Sequence, residues 1–222
     1  MLDRVYYKSE HAAIYDWYRE KYADRNSYLI TDGIVDLENY EGIVFLLKEA
    51  YIREQKRDEW DLSKGLAEKS TWGMWRHVAK WVYGLINTDA KSTAAFCDLS
   101  EEDRKALIRK IAIMNVKKVD GVPTSDDKDL SEHVNRNSEM LRRELAIMQP
   151  RIIVCGGSFK FLKELYSIKI KSHCDNWYYW LDLGEMKNVL VLDYFHPAVR
   201  YPELLTYYGL ASIYQQALLH HE

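Results

Sequence analysis

The chain has 222 residues, 47% of them hydrophobic, with 7 Trp and 17 Tyr, which is enough for one domain with a large core and argues against disorder. A formal net charge of −3 announces neither a nucleic-acid nor a membrane partner over the whole surface, so any basic surface has to be local. No aliphatic–aromatic run exceeds five residues, as in Ile43–Leu47, far short of a bilayer span, and the opening MLDRVYYKSE lacks a signal peptide's apolar stretch, so the expected location is cytoplasmic.

Ser9 is placed to cap a first helix, in which Ile14, Trp17, Tyr18 and Tyr22 recur at helical spacing. Gly42 to Leu47 is short, apolar and preceded by polar residues, the pattern of a buried strand. A helix is predicted from near Thr71. Trp72, Trp75, Ala79 and Val82 form one stripe on it, and Met74, Val78, Trp81 and Leu85 a second, so both sides should be covered. Asn87 to Leu99 is a polar connection, and Ser100 with Asp103 resembles a capping box. Ile111 to Asn115 reads as the second strand, followed by a loop at 120–129. One helix is then expected to carry Val134, Ser138, Leu141, Leu145 and Met148 on a single face until Pro150 stops it. Arg151 to Cys155 is the third strand, Gly156-Gly157-Ser158 turns the chain into another helix, Val189 to Leu192 is the fourth strand, and a last helix begins near Pro202. Short apolar strands separated by helices predict a three-layer α/β/α sandwich, in one domain, around a mainly parallel four-stranded sheet.

In such sheets ligands sit beyond the carboxyl ends of the strands. There the sequence places Lys48-Glu49, then Asn115 with Lys117-Lys118, then Gly156-Gly157-Ser158, and finally His196-Pro197. Each has an ordinary reading as well: a surface ion pair, a loop asparagine, a strand-to-helix turn, a turn histidine. The lysines at 117, 118, 160, 163, 169 and 171 read as mainly solvated. The joint pattern favours a site.

The ordered set FLLKEAY, IMNVKK, QPRIIVCGGSFKFL and DYFHPAVRYP resembles the uracil-DNA glycosylase superfamily, and looks closest to the branch with a Gly-Glu-Ala-Pro-Gly first motif and a His-Pro-Ala last motif. The likeness covers roughly residues 40 to 205. It implies hydrolytic removal of uracil or a related damaged base from DNA, as in base excision repair, with no cofactor or metal. On it, Glu49 matches the water-activating carboxylate, Asn115 the amide that reads the uracil edge, and His196 the imidazole facing uracil O2. Gly157 and Ser158 lie where the family often contacts phosphate. The departures are Lys48 in place of glycine, Tyr51 in place of proline, and three scattered cysteines (Cys97, Cys155, Cys174), which cannot supply that branch's four-cysteine iron–sulfur site.

The residue types suit the chemistry. A carboxylate stabilises a cationic sugar and orients water, a histidine donor stabilises the leaving anion, and an asparagine offers one donor and one acceptor to a pyrimidine edge. The base has to leave the stack, with Tyr51 or Trp72 as candidate stacking rings and Lys117, Arg200 and Tyr201 as candidate DNA contacts. Two further readings stay open: a catalytically inactive nucleic-acid or nucleotide-binding module of this fold, and an unrelated nucleotide-binding α/β enzyme with its phosphate at Gly156 to Ser158.

Overall fold

The computed structural model describes residues 2–23, 28–51, 59–68, 73–170 and 177–221. In chain order these form α1 (Arg4–Tyr22), β1 (Ile30–Thr31), β2 (Gly33–Ile34), β3 (Ile43–Leu47), β4 (Trp60–Asp61), α2 (Leu62–Glu68), α3 (Trp75–Asn87) and α4 (Glu101–Ile108). The second half contributes β5 (Ile111–Asn115), α5 (Asp127–Arg136), α6 (Ser138–Met148), β6 (Ile152–Gly156), α7 (Phe159–Tyr166), β7 (Tyr178–Leu183), β8 (Met186–Tyr194) and α8 (Glu203–Leu219).

The main sheet has six strands in the order β2-β5-β3-β6-β8-β7. Its centre, β5-β3-β6-β8, is parallel and consists of the four expected strands. The edges β2 and β7 run antiparallel, so the sheet is mixed and wider than the sequence pattern predicts. Continuous apolar runs mark strands buried on both faces. β2 is only two residues long, and β7 leaves most of its side chains half-buried, so neither carries that mark. A separate parallel pair joins β1 to β4.

Alternation along the central strands divides the core in two. Val44, Leu46, Ala112, Met114, Ile153, Cys155 and Val191 face one side, packed with apolar residues of α1, α5, α6 and α7. Phe45, Leu47, Ile111, Ile113, Val154, Leu190 and Leu192 face the other, packed with α2, α3, α4 and α8. Helices thus cover both faces, giving the three layers. No helix among the described residues is long and apolar enough to cross a membrane.

Several local expectations change. α1 is capped by Asp3, whose carboxylate accepts from the amides of Val5 and Tyr6, and Ser9 lies inside the helix. α3 begins at Trp75, while Thr71 and Trp72 lie outside the described residues. The single helix expected through Val134 and Met148 is two helices parted at Asn137, a buried side chain that donates to Tyr22 Oη and accepts from Lys21 Nζ. Ser100 and Asp103 form the capping box. Cys97 is partly exposed and Cys155 buried, and Cys174 lies outside the described residues.

Candidate active site

The parallel register brings Leu47 level with Asn115, and Gly156 level with Tyr194, so four strands end along one rim. A cavity of about 600 Å³ opens there, and Glu49, Asn115 and His196 all line it, with Gly157, Lys48 and Tyr51. Its apolar walls include Leu47, Trp60, Leu62, Met74 and Trp75. The volume lies within the range of small-molecule sites.

Glu49 sits on the loop after β3. Its carboxylate is 3% exposed, and neither oxygen accepts a hydrogen bond among the described residues. A buried acceptor without donors is costly and uncommon, which makes this group stand out from the rest of the interior. Lys117 Nζ stands 3.3 Å from Oε2 and 2.7 Å from Asp129 Oδ2. Burial alone would lower the Lys117 ammonium, but the two carboxylates outweigh it and hold it above its ordinary range. Lys117 is therefore a buried counter-ion of Glu49, which replaces the expectation of a solvated lysine in contact with DNA.

The segment after β5 fixes this loop. The amides of Val116 and Lys117 donate to the carbonyls of Leu47 and Lys48, and Gly121 donates to Ala50. A Cβ on Gly121 would lie 2.6 Å from Glu49 Cγ and Cδ, so only glycine lets the backbone come this close. Lys48 turns the other way, bonding to Asp127 on α5 and lying 5.8 Å from the Phe161 ring centre. Strand alternation thus separates the two charges, and Lys48 is not a second cation on Glu49.

His196 follows β8. The amide of Ala198 donates to its Nδ1, which leaves Nε2 as the N–H donor of a neutral ring. Burial, reinforced by the nearby Lys48 ammonium, lowers its pKa below the usual 6.5, which favours that neutral form. The turn packs onto β6 because Gly156 has no side chain: a Cβ there would lie 2.7 Å from Leu47 and 3.1 Å from Pro197. From α3, His77 Nδ1 donates to the Pro197 carbonyl and ties the turn down on its other side.

The remaining expected site residues divide. Tyr51 is on the cavity lip and 47% exposed, while Trp72 lies outside the described residues. Gly157, with φ of +66°, lines the cavity. Ser158 does not face a ligand, because it is fully buried and its hydroxyl donates to the Leu46 carbonyl, which corrects the phosphate expectation. It also makes no cap bond to α7. Arg200 and Tyr201 are exposed beside a neighbouring hollow of about 610 Å³, which shares Gly73, Met74 and Ala198 with the cavity and adds Arg76. Among the described residues no group of three or more His, Cys, Asp or Glu is placed to hold a metal ion.

Behind Asn115 lies a charged cluster that sequence reading missed. Asp32, between β1 and β2, accepts at Oδ2 from both the backbone amide (2.7 Å) and Nδ2 (2.9 Å) of Asn115. Its Oδ1 accepts from Lys118 Nζ at 2.6 Å and from Tyr15 Oη at 3.0 Å. Lys118 reaches Glu144 on α6 at 2.7 Å, and the Lys118, Asp32 and Glu144 side chains are all 0% exposed. Burial, opposed by Lys118 and assisted by Asp32, pushes Glu144 up to about 8. Lys118, expected at the surface, is thus fully internal. A charged pair directly after an apolar strand was the available signal, since Lys118 follows seven buried residues, 111–117.

No family model matches the chain, and no curated protein matches it.

Proposed function

We propose that the chain is a DNA glycosylase-type hydrolase that removes uracil or a related damaged base, which it takes out of the helix into the cavity beside Glu49. The reading is supported chiefly by one observation: Glu49, Asn115 and His196, distant in sequence, line the same hollow at the carboxyl ends of the sheet. Glu49 supplies a buried negative charge for the sugar as the C1′–N1 bond breaks and the bonding electrons leave with the base. A water oxygen then adds to C1′, and Glu49 accepts its proton. The neutral His196 ring donates from Nε2 to the departing base anion, a contribution typically worth about 10²–10³ in rate per donor. The base takes up a proton on release. Asn115 reads the base edge, Trp75, Trp60 and Met74 exclude water, and Arg76 and Arg200 flank the hollow where the DNA backbone would run.

A second reading, a module that binds a nucleotide or nucleic acid without cleaving it, has one observation in its favour: Lys117 already neutralises Glu49. Single-turnover release of base from a uracil-containing oligonucleotide separates the two. Excision that falls at least about a hundredfold in Glu49→Gln and His196→Ala, with unfolding unchanged, supports the hydrolase. Salt-dependent binding without release, in an assay where a control glycosylase works, supports the module.

A further inference from the structure

The cavity reads a base edge through Asn115, and an amide can be turned either way round at little cost unless a neighbour fixes it. Here the neighbour is Asp32. A carboxylate only accepts, so Nδ2 of Asn115 has to face it, and the reversed amide would set Oδ1 against Oδ2. The same Oδ2 also accepts from the Asn115 backbone amide, which prevents the carboxylate from swinging away. Asp32 is held in turn by Lys118, by Tyr15, and by His11, whose Nε2 lies 2.6 Å from the Asp32 carbonyl oxygen. The groups of Asn115 left over are Oδ1 and the second N–H of Nδ2, one acceptor beside one donor.

We propose that Asp32 is the positioning residue that sets the base class, restricting the cavity to bases with a ring N–H beside a carbonyl. This rests on the base-excision reading of the cavity. Uracil, and deaminated bases generally, present such an N–H and C=O. Cytosine presents a bare ring nitrogen beside an amino group, placing acceptor against Oδ1 and donor against N–H. Sites built to hydrogen-bond one pattern reject its inverse strongly, because the protein's own buried groups are then unpaired. Asp32 touches no base and acts through Asn115.

The test uses oligonucleotides carrying one 2′-fluoro-substituted deoxyuridine or deoxycytidine, which resist hydrolysis, with affinity read by fluorescence anisotropy. Wild type is expected to prefer uracil by about a hundredfold. Asp32→Ala frees the amide to rotate, and Asp32→Leu, of similar bulk but without an acceptor, does the same. Each should shrink the uracil-to-cytosine ratio at least about tenfold. A merely structural role would weaken both ligands alike and leave the ratio in place, and that result in a cooperatively folded variant overturns the proposal, as does a wild type without preference. If neither variant folds, wild type is challenged with N3-methylated deoxyuridine, which lacks the ring N–H. Affinity as weak as for cytosine supports the assignment, and affinity equal to that for uracil refutes it. Excision of ordinary deoxyuridine, measured in parallel, keeps the two readings apart. Preference without excision removes the hydrolase and retains Asp32, whereas excision with an unchanged ratio does the reverse.

Discussion

Replacing Lys118 by methionine removes an ammonium of similar length from between two carboxylates. Lys118 Nζ lies 2.6 Å from Asp32 and 2.7 Å from Glu144, and none of the three side chains reaches solvent. Methionine fills much the same space, so the loss is mainly electrostatic. Breaking a buried pair by removing one partner typically costs about 3–5 kcal/mol. For a chain of this length that corresponds to a fall in Tm of about 6–20 °C. The pH dependence identifies the cause. In wild type the folded state keeps a proton on Glu144 up to about 8, whereas the unfolded chain releases it near 4.5. Wild-type stability therefore declines across that window, by no more than about 1.4 kcal/mol per pH unit for one proton. Without Lys118 the Glu144 carboxyl rises further, so the deficit of Lys118→Met should be smallest at acid pH, where Glu144 is protonated, and should widen as pH rises above about 8. Urea unfolding followed by circular dichroism at several pH values measures it. A variant as stable as wild type above neutrality, or a deficit independent of pH, would refute the reasoning.

Three other outcomes follow from the geometry. Gly121→Ala drives a Cβ onto the Glu49 side chain and should cut excision at least about tenfold while Tm moves only a few degrees, because the displaced group belongs to the site and not to the apolar core; unchanged excision would show that Glu49 tolerates the push. Lys48→Met removes the cation that helps depress His196, so the acid limb of the pH–rate profile should move to higher pH, and a limb that stays put would exclude His196 as its source. Ser100→Ala removes the side-chain half of the α4 capping box and should cost about 1 kcal/mol in urea unfolding without altering the uracil ratio.

The central strands were legible because burial on both faces forces uninterrupted apolar runs, and Ile43–Leu47, Ile111–Asn115 and Ile152–Gly156 each show one. Strand ends then located Glu49, Asn115 and His196 correctly along one rim. The edges were not legible, since β2 is too short for a pattern and β7 opens on four half-buried residues with no alternation. Nor was the break at Asn137, because the apolar stripe of α5 resumes on α6 as though the helix continued. Asp32 looks in sequence like a turn residue before Gly33, and Lys118 like the solvated second half of a basic pair. Their burial depends on Tyr15 of α1 and Glu144 of α6, 129 residues apart, which no local pattern encodes.

The run from Asn115 to Gly121 has a consequence for how this chain can change. Seven successive positions supply an amide that lines the cavity, a counter-ion for Glu49, the hub of an internal charge cluster and the clearance behind the carboxylate, while their amides also stitch the first loop in place. At Asn115, Lys117 and Lys118, altering ligand preference and preserving the fold are not separable tasks. New specificities are accordingly more accessible from the lip, at Tyr51, Val122 to Ser125 or Ala198, where side chains meet the occupant without also holding up the interior.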